Sequence, residues 1–532
     1  MLNNKVLLLV VIMVLGAVLR FAELDLRSLW YDEVSKISSA NLVRELPDYV
    51  THRHAKKPGF IPIIKIWMYF FGETEIVVRS LSVLLGICSL VLFYLLASSL
   101  LSQSCGLVSS FLLAISPFHI YYSQQVTEYS FSLVLVLLST LLFVQLCKKE
   151  HAYLYCLYAL VSFYHCLTQL SGIFIIVIHC LWLYFISRSF YRKKGWQLTL
   201  VSLVIFLIPF YTFVFLRGQE ANKVFWIERP TVSVILETFK ALSYGGGQLA
   251  HGGVGFIVDK KLLNYAWWLT PLFSVLVLFG LGFFNVSKKT SHDTTEEGLF
   301  TRKSISILLV MWVVVPLLIN FVFSLLIIPI YVVRYFMNIL PAYLMLIAIG
   351  VVSCKKKFVI TTVISLIFVL NVQALYVYYQ PPEIASWREI VKRIREEILP
   401  HDIVYFVPSE QIITFTYYFS ENPGQTFRTV DIKGKRINGE WHKLFEEDRY
   451  IYAGIPLRHD TASILTSNQF KEYEQQAERI FFVASPYWPG VDDNVSRTRE
   501  YFANNGWQEE EYWYPYPGVQ LYIYTNRNTR IF

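Results

Sequence analysis

Just past its first apolar stretch the sequence runs Trp30-Tyr31-Asp32-Glu33, an adjacent pair of carboxylates. Where a membrane segment meets water, acidic groups are costly against lipid and belong against a cavity or a reacting group. A carboxylate so placed is also an available general base. Neighbours on a helix point about 100° apart, so Asp32 and Glu33 cannot form the opposed pair of a glycosidase. One can act while the other does something else. A competing reading makes Asp32 the N-cap of a helix beginning around Glu33-Val34, with Val34, Ile37 and Leu42 against the membrane surface. Capping and catalysis are not exclusive.

Cations follow. His54-Ala55-Lys56-Lys57-Pro58-Gly59 precedes the aromatic run Ile66–Phe71. Two lysines at the start of an interfacial helix suit an anionic head group with its lipid tail alongside; ordinary snorkelling lysines are the alternative. Tyr331-Val332-Val333-Arg334-Tyr335-Phe336 opens another apolar stretch. An arginine there can grip a phosphate bidentately, or stand as an interfacial Arg in an aromatic belt. The segment Ser116–Tyr129 holds His119, Tyr122, Gln124 and Glu128 among aromatics. Such a loop can stack on and hydrogen-bond a sugar, or form a belt of interfacial tyrosines. Gly245–Gly247 and Gly252, Gly253 and Gly255 surround His251 in a loop readable as a linker or as a substrate gate.

The elements that position these groups are membrane helices. Of 532 residues, 55% are hydrophobic and 16% charged, against roughly 25% charged in soluble domains. Lys5–Phe21, Leu81–Leu101, Gly106–Ile120, Ser130–Leu146, Ala152–Leu167, Gly172–Ile186, Leu198–Leu216, Tyr265–Phe284, Ile305–Leu326, Val332–Val352 and Phe358–Tyr378 are apolar runs. With ~20 residues needed to cross a bilayer, the reading is about 11 spans. Lys148-Lys149, Arg192-Lys193-Lys194, Lys288-Lys289 with Arg302-Lys303, and Lys355-Lys356-Lys357 fall in alternate loops. The positive-inside rule makes those loops and the N-terminus cytoplasmic, and everything after Tyr378 external. Two outer loops, Glu23–Val78 and Arg217–Asn264, hold several basic residues against that rule. No small-x-small cleavage site follows the first span, so it reads as a retained helix rather than a signal peptide.

The net charge of +8 follows the cytoplasmic loop bias and is no argument for nucleic acid. All seven cysteines lie in the membrane half, so the tail has no disulfide, and no Cys/His spacing resembles a zinc site. Composition shifts at Pro381-Pro382. Ile384–Leu399 has helical spacing; Ile403–Val407, Tyr450–Ile455, Ile480–Ala484 and Val519–Tyr524 read as strands; Arg497–Asn505 reads as a helix stopped at Gly506. The expected organisation is a helical polytopic membrane domain, residues 1–380, and an extracytoplasmic α/β domain, residues 381–532. The tail is either a packed accessory domain or one that recognises an acceptor.

In this order the chain carries Arg27-Ser28-Leu29-Trp30-Tyr31-Asp32-Glu33, Lys57-Pro58 with Ile66-Trp67 and Gly72, and Arg79-Ser80-Leu81-Ser82. Ser116-Pro117-Phe118-His119-Ile120-Tyr121-Tyr122-Ser123-Gln124 and Arg334-Tyr335-Phe336 with Pro341 complete the set. The pattern, over about residues 1–350, resembles the GT-C membrane glycosyltransferases, specifically the bacterial relatives of protein O-mannosyltransferases and of lipid A aminoarabinose transferases. Two positions depart from it: Glu128 stands where the family often has Arg, and Gly59 where many relatives have a second proline.

The resemblance implies a single sugar carried on a polyprenyl phosphate and transferred at the outer face to an acceptor protein, lipid or glycan. The phosphate ester is a good leaving group, so nearby positive charge suffices and no metal or other cofactor is invoked. Asp32 becomes the base and Glu33 its support. Lys57, Lys56 and Arg334 become phosphate ligands, and His54, His119, Tyr122, Gln124 and Glu128 substrate contacts. Direct attack inverts the anomeric centre. Three alternatives compete. A lipid-linked sugar flippase would show mid-membrane charges and repeated spans. A receptor would use its tail to bind a partner. An oligosaccharide ligase would move a longer donor.

Overall fold

The computed structural model describes residues 4–42, 58–220, 227, 229–245, 299–353, 357–380, 387–399, 402–419, 435–437, 440–442, 445–447, 450–454, 468–485, 491–513 and 519–526. Its principal helices in chain order are α1 (Asn4–Phe21), α2 (Tyr31–Leu42), α3 (Ile61–Phe71), α4 (Glu75–Leu100), α5 (Gln103–Ala114), α6 (Pro117–Ser123), α7 (Tyr129–Lys149), α8 (Ala152–Thr168), α9 (Ile173–Ile186) and α10 (Lys194–Glu220). After them come α11 (Ser233–Tyr244), α12 (Arg302–Leu326), α13 (Leu340–Ser353), α14 (Lys357–Tyr378), α15 (Trp387–Glu397), α16 (Ile412–Phe419), α17 (Asn468–Gln476) and α18 (Val491–Asn504). The chain forms two compact units: Met1–Leu24, Lys56–Ile63 and Phe70–Gln380 in one, Asp25–Ala55, Ile64–Tyr69 and Pro381–Phe532 in the other.

The first unit is a helical membrane body. Among the described residues six helical stretches are long and apolar enough to cross a bilayer, or seven if α5 and α6, bent by 62°, form one span. The helices at Ala152–Thr168, Leu170–Ile186 and Ile364–Tyr378 are apolar but shorter, and the expected span Tyr265–Phe284 lies outside the described residues. The run Gly106–Ile120, expected to be one straight span, breaks at Ser116-Pro117. Proline at the first position of α6 removes a backbone donor that a continuous helix would need, and Ser116 Oγ accepts the His119 N–H at 3.4 Å to start the new helix. The expected span Val332–Val352 likewise begins as a 3-10 segment, Val333–Ile339, before α13.

Helix α1 is inverted relative to a soluble helix. Its valines, with Leu7 and Leu8, are exposed while Ile12, Gly16 and Arg20, four residues apart, form the buried stripe. Apolar exposure of this kind is what a lipid-facing helix shows. Gly86 of α4 permits the close approach on the buried side: a Cβ there would lie 2.4 Å from Ser123 Oγ and 3.3 Å from the Arg20 side chain.

The second unit is built on a six-stranded mixed sheet. Its strands are β1 (Ile403–Val407), β4 (Phe445–Glu447), β5 (Tyr450–Gly454), β6 (Arg479–Ala484), β7 (Trp507–Trp513) and β8 (Gln520–Asn526), in the spatial order β4-β5-β1-β6-β8-β7; β2 (Lys435–Ile437) and β3 (Glu440–His442) pair separately. Central β1 runs parallel to both β5 and β6. It is apolar and buried on both faces, as a central parallel strand must be. Ile403, Tyr405 and Val407 join Phe470 of α17 and Phe502 of α18 in one core. On the other face Phe406 meets Phe415 of α16, ring centroids 5.3 Å apart. The strands expected in the tail are present within two residues, and the two expected helices are present as α15 and α18, the latter beginning at Val491 rather than Arg497. Strands β2, β3, β4 and β7 and helices α16 and α17 were not expected. Strand β7, with Glu509-Glu510-Glu511, reads as polar because it is an edge, where charge discourages pairing with another chain.

Candidate functional site

Asp32 and Glu33 sit in the first turn of α2, in the second unit. The helix opens two residues earlier than the sequence implied. The Trp30 carbonyl accepts the N–H groups of Glu33 and Val34, each at 3.0 Å, so Trp30 holds the N-cap position and Asp32 lies inside the helix. Asp32 is therefore not the cap. Glu33 makes the capping contact: its Oε2 reaches back to the Trp30 N–H at a long 3.4 Å, the return half of a capping box. Glu33 is fully buried, whereas Asp32 is half-buried. Val34 and Ile37 are also fully buried, and α2 packs against α16 within its unit. They do not lie on the membrane surface as the sequence suggested.

In the first unit, the loop expected to bind substrate is largely a packing device. His119 is fully buried; its Nδ1 lies 2.6 Å from an Arg20 guanidinium nitrogen and its Nε2 3.2 Å from Ser89 Oγ. Arginine only donates, so Nδ1 accepts and Nε2 carries the proton. Both ring nitrogens are thus engaged. Arg20 also donates to the carbonyls of Gly16 (2.8 Å), Ala114 (3.0 Å) and Leu113 (3.0 Å). Gln124 is similarly committed: Nε2 donates to the Arg20 and Ala22 carbonyls at 3.1 and 2.8 Å, and Oε1 accepts from Tyr378 OH at 2.5 Å. Tyr122 and Glu128 are buried. Glu128 precedes α7, where its carbonyl accepts the Ser132 N–H at 2.8 Å.

Arg334 is buried in the 3-10 segment, its guanidinium over the Tyr335 ring at 6.0 Å. Tyr335 meets Tyr129 at 6.5 Å, and Tyr129 meets Tyr122 at 4.9 Å. This aromatic chain brings the Ser116–Tyr129 loop and Arg334 together. Farther along the same segment, Asn338 Oδ1 accepts from Ser132 Oγ at 2.9 Å and its carbonyl from Trp312 Nε1 at 2.9 Å. His165 and Asn338 line a cavity of about 10 Å³ with Ser171, Trp312 and Asn320. That holds about one water and is far below the few hundred Å³ of a ligand pocket.

His54, Lys56, Lys57 and His251 lie outside the described residues. Gly59, two residues after Lys57, is described and explains one departure from the family pattern. Its N–H donates to the Leu167 carbonyl at 3.1 Å, and its own carbonyl accepts from Tyr164 OH at 2.7 Å. A Cβ at Gly59 would lie 2.4 Å from Thr168 Oγ1 and 2.7 Å from the Thr168 backbone nitrogen. Proline would both clash and lose the donor.

Sequence reading missed two buried cations. Arg20 was hidden at the end of an apolar run. Lys240 of α11, 2% exposed, pairs with Glu237 at 2.7 Å. Helix α11 packs against α6 and the Arg334 segment. The signal for Lys240 was the basic content of the outer loop Arg217–Asn264, which runs against the positive-inside rule. Among the described residues no three His, Cys, Asp or Glu side chains are placed to hold a metal ion.

Residues 55–213 match the family model of dolichyl-phosphate-mannose-protein mannosyltransferases. That stretch includes Lys57, His119, Tyr122, Gln124 and Glu128 but neither Asp32 nor Arg334. No curated protein matches the chain. The crystal structure of ArnT from Cupriavidus metallidurans bound to undecaprenyl phosphate is similar, at 14% identity over 99% of this chain and 98% of that one, with a TM-score of 0.52. The apo form of the same protein aligns at 14% identity over 98% of each chain, TM-score 0.47. The archaeal oligosaccharyltransferase AglB from Archaeoglobus fulgidus, in complex with an inhibitory peptide and a dolichol-phosphate, aligns at 11% identity over 99% of this chain and 75% of that one, TM-score 0.49. The fold rests on the first of these, which spans both chains almost end to end. With the motifs in the family's order and the match over residues 55–213, the resemblance read from the sequence is borne out: this is a multi-pass membrane protein with the fold of the GT-C glycosyltransferases.

Proposed function

We propose that the protein is a membrane glycosyltransferase that moves one sugar from a polyprenyl-phosphate donor to an acceptor hydroxyl, at the outer face of the cell (inner) membrane. The observation that carries this reading is the division of labour in the Asp-Glu pair. Glu33 is buried and turned back on the Trp30 N–H at the start of α2, whereas Asp32 in the same first turn is only half-buried; in this reading Asp32 takes the proton. The acceptor oxygen, deprotonated by Asp32, attacks the anomeric carbon as the bond to the phosphate oxygen breaks, and the polyprenyl phosphate leaves with the electron pair. One attack inverts the centre. The leaving phosphate needs cations rather than an acid, which Lys57, with Lys56 beside it, and Arg334 supply. The likeness to ArnT, whose structure holds undecaprenyl phosphate, supports a lipid-phosphate donor. In this reading the N-terminus is cytoplasmic and residues 381–532 are extracytoplasmic.

The experiment is transfer from a polyprenyl-phosphate sugar by purified Asp32→Asn protein. Turnover should fall by about 10²–10⁴ with donor binding kept. Transfer at the native rate by this variant would place the base elsewhere.

A further inference from the structure

The chain leading into α2 is held by the C-terminal part of its own unit. The Leu29 N–H, one residue before the N-cap, donates to Tyr418 OH of α16 at 2.6 Å across 389 residues of sequence. Leu29 is fully buried. Ser28 Oγ accepts the Trp387 N–H at 3.0 Å, capping the start of α15. Arg388 of α15 donates to the Asp25 carbonyl.

Helix α16 is itself fixed. Arg395 of α15 donates to the carbonyls of Tyr418 and Phe419 at its C-terminal end, the latter at 2.6 Å, and lies over the Phe419 ring at 5.5 Å. A cation there satisfies the orphan carbonyls and complements the helix dipole. Through Phe415 and Phe406, α16 rests on the central strand of the sheet. A continuous set of contacts thus runs from β1 through α16 and Tyr418 to Leu29 and the N-cap of the helix that carries Asp32. A buried backbone donor must find an acceptor. Here that acceptor is a side chain at the far end of the chain rather than a local turn, so the entry angle of α2 depends on where α16 stands.

We infer that Tyr418 is a positioning residue for Asp32, and that residues 387–419 set the direction in which α2 presents its first turn. The inference rests on Asp32 being the base. Tyr418→Phe keeps the ring and deletes the hydroxyl. The rate of transfer, kcat, should fall about two- to tenfold, the worth of one hydrogen bond, with the donor KM unchanged. Amide exchange in peptides covering residues 25–35 of the full-length protein should quicken. In the Asp32→Asn background the same change should cost nothing further, because two residues acting through one group are not additive. Ser28→Ala, which loosens the same lead-in from another point, should lower kcat in the same direction and serves if Tyr418→Phe does not accumulate. Faster exchange with an unchanged kcat, or an undiminished loss on top of Asp32→Asn, overturns the positioning role. Exchange is read without substrate, so an inactive native protein would sink the base assignment while the anchoring contact is still measured.

Discussion

Arg20 donates to Nδ1 of His119 at 2.6 Å, joining the end of α1 to the bend between α5 and α6. The same arginine donates to the carbonyls of Leu113 and Ala114 at the end of α5, where Pro117 takes away the i+4 donor of Leu113 and leaves it the longer Ser116 N–H at 3.3 Å. The histidine hands the contact on to Ser89, whose hydroxyl donates to the Gly86 carbonyl at 2.6 Å.

Replacing His119 tests that reading. His119→Ala should destabilise the protein by about 1–3 kcal/mol, the cost of leaving buried polar groups short of a partner. His119→Asn, which keeps an acceptor for Arg20, should recover part of it. Thermal unfolding in detergent measures both. A stable His119→Asn protein that has lost transfer would instead return His119 to the substrate site.

Glu33 is expected to be a structural residue. Glu33→Gln retains an acceptor for the Trp30 N–H and should leave α2 intact, because Gln serves in a capping box as Glu does. Glu33→Ala should loosen the first turn by about 1 kcal/mol. Exchange rates of the α2 amides in the two variants distinguish the outcomes; equal rates would remove the capping role.

At Gly59 the neighbouring Thr168 backbone cannot retreat as a flexible side chain would. Gly59→Ala should cost about 1–3 kcal/mol as an overpacked site and, through Lys57 two residues away, weaken donor binding. Gly59→Pro should be worse, since it also removes the bond to Leu167. Thermal unfolding and donor titration read the two effects. Native stability in Gly59→Ala would show that the α8 end can shift.

In the proposed reading Arg334 binds the donor phosphate. Arg334→Gln should weaken donor affinity by roughly ten- to a hundredfold, the worth of about 1.5–3 kcal/mol for a charged hydrogen bond, and Lys57→Ala similarly. Arg334→Lys should recover only part, because an ammonium lacks the planar fork. Titration with a polyprenyl-phosphate sugar decides it; unchanged affinity in both proteins would remove them from the site.

Glu474 of α17 gives a pH dependence whose sign can be worked out. Burial pushes its carboxyl above the ordinary carboxylate range, against hydrogen bonds from Trp507 and Tyr501 that favour the anion. The folded state therefore binds its proton more tightly than the unfolded chain does. The resulting penalty is fully present above the raised folded value and disappears as pH falls through it toward the unfolded value. Glu474→Gln keeps an acceptor for Trp507 Nε1, bonded at 2.8 Å, and an amide facing Tyr501 OH, bonded at 3.0 Å. It should be more stable than the native protein at pH 7, with the difference shrinking toward pH 4. Pulse proteolysis of residues 468–526 in the full-length protein, across a urea series at each pH, measures it. A pH-independent difference would refute the assignment.

The sequence by itself determined the class of this protein, because lipid imposes its demands locally. A run such as Ile305–Leu326 can satisfy its backbone only as a helix. The apolar strands Ile403–Val407 and Ile480–Ala484 could be read for a similar reason, as could the helix that stops at Gly506, whose φ of +89° suits glycine. What tertiary structure alone decided was which polar groups are already spent. His119 and Gln124 look like sugar ligands in sequence, but Arg20, Ser89 and Tyr378 engage them from as far as 254 residues away. Asp32 looks like a cap, but the cap is Trp30 and Glu33 answers it. Helix α2, read as part of the membrane half, is anchored by Tyr418 and belongs to the unit that contains the sheet. A hydrogen bond between residues hundreds of positions apart leaves no periodicity in the chain, so no pattern along it could have announced these partners.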